Sequence, residues 1–405
     1  MRAYQRFLDY VKIHTTSDYR SPTHPTSARQ FDLARLLEGQ MRQLGLQDVR
    51  VDEHCYVYGF LPATPGCEDK PAIGLIAHMD TAQAFSGENV KPQIIEDYDG
   101  GDVLLAGSGD WLQVEQFPEL ARWKGQTLIT ADGTTLLGAD DKAGIAEILT
   151  AVEHLQTEGI PHGRVCVAFT PDEEVGQGAD LFDVKGFGAD FAYTVDGGDV
   201  GELEYQNFNA ASAVFTVQGF SVHPGTAKGL MKNALNIAME LHAMLPAGER
   251  PETTEGTEGF YHLDEFSGQV TGARLEYIVR DHDKEKFAAR KAFLQQAAQT
   301  INEKYGPGTV SLELEDSYYN MEEKILPHFH LVENACQAVR QAGLEPKVVP
   351  IRGGTDGASL SYMGLPCPNL GTGGFNFHGP CEYITAEKMD KSVEILLNLL
   401  SIYAQ

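Results

Sequence analysis

The chain has 405 residues, 42% of them hydrophobic and 22% charged, an ordinary globular balance and long enough for two domains. Its formal net charge of −27 argues against nucleic acid or an anionic membrane surface as partner, because both select cationic surface. No apolar run approaches the roughly 20 residues of a membrane span. The six cysteines, Cys55, Cys67, Cys166, Cys336, Cys367 and Cys381, include no CxxC pair, so reduced thiols in the cytoplasm are expected.

The opening MRAYQRFLDYVKIHTTS places Tyr4, Phe7, Leu8 and Val11 on one helical stripe, interrupted by Arg6, Asp9 and Lys12. That is an amphipathic helix rather than a secretory signal. PAIGLIAHMD (71–80) is a mostly apolar run, as a strand buried on both faces requires. KAGIAEILTAVEHLQ carries Ile145, Ile148, Leu149, Val152 and Leu155 at helical spacing and stops before Gly159 and Pro161. RVCVAFT and FAYTVDGG read as two further strands. Strand, helix and strand in this order predict a mixed, mostly parallel sheet between helices.

From about residue 210 the pattern changes. ASAVFTVQG predicts a strand and NALNIAMELHAML a helix; FSGQVTG and RLEYIVRD predict two strands, then come a helix from KEKF to EKYG and the strand TVSLELED. This β-α-β-β-α-β order is that of a ferredoxin-like split unit. PETTEGTEG (251–259) reads as an exposed loop. After 317 the helical HLVENACQAVRQAG and a Gly-rich segment suggest a return to the first domain. The expected layout is a catalytic domain over 1–207, an inserted domain over 208–316, and the remainder of the catalytic domain over 317–405.

Candidate ligands sit in AHMD, GADDKAG, PDEEVG, TVDGG and NFHGP. His78 and Asp80, two apart at a strand end, point to the same face, and a carboxylate so placed suits fixing an imidazole tautomer. Asp140, alone, reads as an ordinary helix N-cap. Glu173, Glu174 and Asp196 each fall just past a predicted strand, where open α/β sheets bind ligands. With His378 they form a mixed N/O set suited to Zn²⁺, Mn²⁺ or Co²⁺. His78, Asp140, one of the two glutamates, Asp196 and His378 make five ligands, which exceed one tetrahedral site and fit two metals sharing a bridging carboxylate. The adjacent glutamates then have a reason to tolerate their repulsion: one binds a metal and the other serves as general base.

These segments, together with YTVDGGDVGELEYQNFNA, HPGTAKG, LEDSYYNM and IRGGTDGASLSYMGLPCPNL, resemble the dinuclear-metal M20 metallopeptidases over essentially the whole chain. Within them the resemblance is to the branch that removes the N-terminal residue of tripeptides. It implies a catalytic α/β domain with an inserted ferredoxin-like domain of the lid or dimerisation type, compatible with a homodimer. It also implies two divalent ions per chain, with His78 and Asp196 on one, Glu174 and His378 on the other, and Asp140 between them. Asp80 would orient His78, and Glu173 would deprotonate a water shared by the metals. The Asp140–Asp141 bond resembles the family's cis peptide. His223 and Arg280, bland as a loop histidine and a solvated arginine, would bind substrate; Arg352 is a second candidate for the peptide carboxylate. The chain departs from the wider family at Thr81-Ala82-Gln83, which lacks a proline, and at Pro380-Cys381, where a basic residue and a histidine are expected.

Two rivals follow from the same residues. A deacylase or carboxypeptidase on this scaffold would prefer N-acylated substrates over peptides with a free amino terminus. A silent metal- or peptide-binding protein would be expected to have lost the base at Glu173.

Overall fold

The apolar runs near residues 73 and 165 form adjacent parallel strands, Ile73–His78 and Val165–Thr170, with every residue of both buried. The computed structural model describes residues 1–405, and these strands lie at the centre of an eight-stranded sheet. Its order runs Gln47–Val51, Val57–Leu61, Val165–Thr170, Ile73–His78, Phe191–Val195, Asn369–Leu370, Glu202–Glu204 and Lys347–Val348. The four strands from Val165–Thr170 to Asn369–Leu370 are mutually parallel; antiparallel pairings flank them.

Strands buried on both faces need cover on both. Ile76, Cys166 and Ala168 pack against Tyr56, Tyr58, Phe182 and Phe187. The helix Ala139–Glu158 packs on the Ile73–His78 strand and against the C-terminal helix Ala386–Tyr403. Gly144 on that helix is required by closeness: a Cβ there would lie 1.9 Å from the carbonyl oxygen of Val195. Asp140 and Asp141 have non-helical backbone angles and a cis peptide between them, so the regular helix starts after them.

The chain forms two units: Met1–Tyr205 with Glu323–Val349 and Thr355–Gln405, and Gln206–Glu322 with Pro350–Gly354. The second holds an antiparallel sheet in the order Phe260–Gln269, Gly272–Asp281, Asn209–Gln218, Val310–Tyr318. One face carries Ala211, Ala213, Phe215, Val217, Leu275 and Val279, packed on Ile237 and Leu241 of one helix and Phe287, Leu294 and Ile301 of another. The fold is therefore a mixed α/β sheet structure with an inserted ferredoxin-like unit. One strand starts earlier than its pattern suggests. Phe260–Gln269 begins six residues before FSGQVTG, because Phe260 already pairs with Arg280. Much of that edge strand is exposed, so its polar residues carry no apolar alternation.

Candidate metal and catalytic site

Strand register brings the candidate ligands level. His78 pairs with Thr170, which ends the strand before Glu173, and Ile76 pairs with Thr194, two residues before Asp196. All three side chains therefore emerge at the C-terminal edge of the parallel strands, and Asp140 joins them from the start of the helix. His378 comes from a loop closed by reciprocal backbone bonds between Phe375 and Tyr383, with Pro380 and Cys381 inside it. His378 itself adopts a left-handed φ of 65°.

The geometry centres on Asp140. One carboxylate oxygen is 2.9 Å from Nε2 of His78, and the other is 3.0 Å from Nε2 of His378. His378 Nε2 also lies 3.1 Å from Glu174, while His78 Nε2 is 3.8 Å from Asp196 and 4.0 Å from Glu173. Nδ1 of His78 is 3.1 Å from the Asp80 carbonyl and 3.3 Å from its carboxylate. That carboxylate, fully buried, also accepts the backbone N–H groups of Glu173 (3.0 Å) and Glu174 (3.2 Å). Asp80 thus ties the His78 strand to the glutamate turn.

The charges do not balance. Burial works against the His78 imidazolium, yet Asp196, Asp140 and Asp80 carry its pKa well above the usual histidine value. Hydrogen bonds to Asp140 and Glu174 raise His378 to about 11. Burial and neighbouring carboxylates push Glu173, Glu174 and Asp196 upward. Asp140 alone falls below its ordinary range; burial opposes this, but the two histidines prevail. Five carboxylates facing two imidazoles, those of Asp80, Asp140, Glu173, Glu174 and Asp196, leave negative charge that protons must neutralise unless cations do. The buried Oε1 of Glu174 has no hydrogen-bond partner, which fits an oxygen reserved for a cation. The oxygen and imidazole donors suit Zn²⁺, Mn²⁺ or Co²⁺. His78, Asp140 and Glu174 place one ligand atom each within 4.8 Å of one another, and so do His78, Asp141 and Asp196. Asp141 is already engaged, however: its oxygens accept the backbone N–H groups of His78 and Gly144.

A family model described as peptidase family M20/M25/M40 matches residues 121–401. Peptidase T of Caldanaerobacter subterraneus subsp. tengcongensis is 56% identical over 405 residues, spanning 99% of this chain and 98% of that protein. The chain belongs to peptidase family M20/M25/M40. Peptidase T of Geobacillus kaustophilus is also similar, 55% identical over 403 residues, with 99% of this chain and 98% of the relative covered. Among solved structures, aminopeptidase PepT from Bacillus cereus superposes with a TM-score of 0.80 at 24% identity, covering 100% and 98% of the two chains. A tripeptidase from Staphylococcus aureus gives 0.81 at 24% identity with the same coverage. These two structures establish the fold of this M20 peptidase.

His223, Arg280 and Arg352 belong to the second unit. There Arg280 donates to the Arg352 carbonyl at 2.9 Å, while Arg352 donates to Gly256 and Thr254. His223 is exposed, its Nδ1 accepting the Gly225 N–H at 3.1 Å. Other residues gained a place that motif reading did not assign. Glu382 is buried and accepts the backbone N–H groups of Leu137 (2.7 Å), Gly138 (2.8 Å) and Asp140 (3.1 Å). Burial raises it to about 7. Asp356, also buried, accepts from Thr170 at 2.7 Å. Nothing local in the sequence announces either role, since each partner lies far away in the chain.

Proposed function

We propose that this M20 peptidase is an aminopeptidase that releases the N-terminal residue of tripeptides in the cytoplasm, with zinc as its usual metal and cobalt or manganese as substitutes. The observation that carries the reading is Asp140, whose two oxygens face the imidazoles of two different histidines. That is the arrangement of a carboxylate shared by two metal positions. His78 and Asp196 would hold one cation, Glu174 and His378 the other. Two cations bound there supply Lewis-acid polarisation of the scissile carbonyl and of water.

The protein's own residues perform the proton chemistry. The Glu173 backbone N–H is held by Asp80, its carboxylate lies 4.0 Å from Nε2 of His78, and that carboxylate is not needed as a ligand. It takes the proton of the attacking water and delivers it to the leaving amine. Asp80 holds the His78 ring from the side opposite Asp140. No helix is long and apolar enough to cross a membrane.

The test is a length series of two-, three- and four-residue peptides, with N-acetylated tripeptides alongside and metal content measured in the same sample. Preferential cleavage of free tripeptides with about two metals per chain supports the reading. Preference for acylated substrates would make the chain a deacylase, and activity after complete metal removal would refute the dinuclear site.

A further inference from the structure

The turn that carries Glu173 is gripped from a second side, by the N-terminal loop. Asp172 has a left-handed φ of 58° and is fully buried. A non-glycine residue holds such a conformation when its surroundings over-determine it. Here they do. The Gln30 side chain makes a two-point clamp: Nε2 donates to the Asp172 carboxylate at 2.6 Å, and Oε1 accepts the Asp172 backbone N–H at 3.2 Å. Thr26 donates twice to the same carboxylate, through its backbone N–H at 2.7 Å and through its hydroxyl. Gln30 is fully buried and Thr26 is 5% exposed. The carboxylate oxygens are thus held by donors from a segment more than 140 residues away in sequence, and Nδ1 of His24 lies a further 3.4 Å from one of them.

We propose that Gln30, Thr26 and Asp172 are positioning residues for catalysis, fixing the direction in which Glu173 leaves its strand. Asp80 fixes the N–H groups of Glu173 and Glu174 from one side; the Gln30 clamp fixes the residue before them from the other. A base must sit within hydrogen-bond reach of the proton it takes, and a small misplacement is costly in rate. This inference rests on Glu173 being the base. It adds that segment 24–30, which runs into the helix Gln30–Gln43 and supplies no metal ligand, sets the efficiency of that base.

Three variants test it, each normalised to folded, metal-loaded protein. Thr26→Val keeps the shape and the backbone donor but removes the hydroxyl; Thr26→Ser restores it. Gln30→Leu removes both clamp bonds. We expect Gln30→Leu and Thr26→Val to lower kcat roughly 10- to 100-fold with KM and metal content unchanged. Hydrogen exchange over residues 171–177 should quicken, and Thr26→Ser should match the parent. If Gln30→Leu does not fold, the Val and Ser pair decides alone. Parental kcat per folded site in Thr26→Val, or a kcat loss that Thr26→Ser fails to rescue, overturns the proposal. A Glu173→Gln control separates the two ideas. If it stays active, the base assignment is wrong; if it is inactive while the clamp variants keep parental kcat, only the positioning role fails.

Discussion

Glu382→Gln is a demanding perturbation because it changes almost no volume. In the parent, one carboxylate oxygen accepts the N–H groups of Leu137 and Gly138 and the other accepts that of Asp140. The glutamine amide has a single acceptor. If its oxygen keeps the pair at Leu137 and Gly138, its NH₂ group confronts the Asp140 N–H, donor against donor. A buried donor left unsatisfied costs about 1–3 kcal/mol, and bonds to a neutral acceptor are weaker than those to a carboxylate. Together the substitution should cost about 3 kcal/mol, lowering the melting temperature by roughly 5 °C for a unit of this size. Because the affected N–H belongs to Asp140, metal affinity should also drop, by roughly 10- to 100-fold. Denaturant unfolding of metal-free protein measures the first quantity, and competition with a chromophoric chelator measures the second. A loss below about 1 kcal/mol with unchanged metal affinity would refute the view that Glu382 holds Asp140 in place.

Other outcomes follow from the site and the core. Glu173→Gln should retain metal and lose roughly 10²- to 10⁴-fold in kcat, whereas Glu174→Gln should weaken metal binding; exchanged phenotypes would reverse the two roles. On the resemblance, Arg280→Ala should raise KM for tripeptides and His223→Ala should mainly lower kcat, with metal content unchanged in both. Steady-state kinetics on tripeptides and their C-terminal amides checks this, and unaltered selectivity in Arg280→Ala would move the carboxylate anchor to another residue. Glu147 is fully buried, with one oxygen accepting from Ser392 and the other unpartnered, and burial lifts its pKa well above the usual carboxylate range. Its proton is held by the folded form and released by the unfolded chain. That stabilisation is complete below the unfolded pKa and is lost as pH rises toward the folded one. Unfolding free energies across pH should therefore fall more gently above the unfolded pKa in Glu147→Gln than in the parent, and identical slopes would exclude the effect.

Much of the molecule is legible from residue order because its signals are local. The apolar runs at Ile73–His78 and Val165–Thr170 declare strands buried on both faces, and the β-α-β-β-α-β order of the insertion follows from periodicity alone. Glu173, Glu174 and Asp196 could be picked out because each stands just beyond such an element, and paired acids at a strand end have little structural purpose. What residue order does not contain is register. That Thr170 lies beside His78, and Thr194 beside Ile76, is decided by packing the strands around Gly144 and the aromatic layer at Tyr58 and Phe187. Nor does it reveal that Pro350–Gly354 folds with the insertion. Glu382 beneath Asp140 and Gln30 against Asp172 were equally invisible, because their partners lie 242 and 142 residues away. A short apolar pattern records which face of an element is buried, but a hydrogen bond between distant loops leaves no periodic trace, so only the folded chain discloses it.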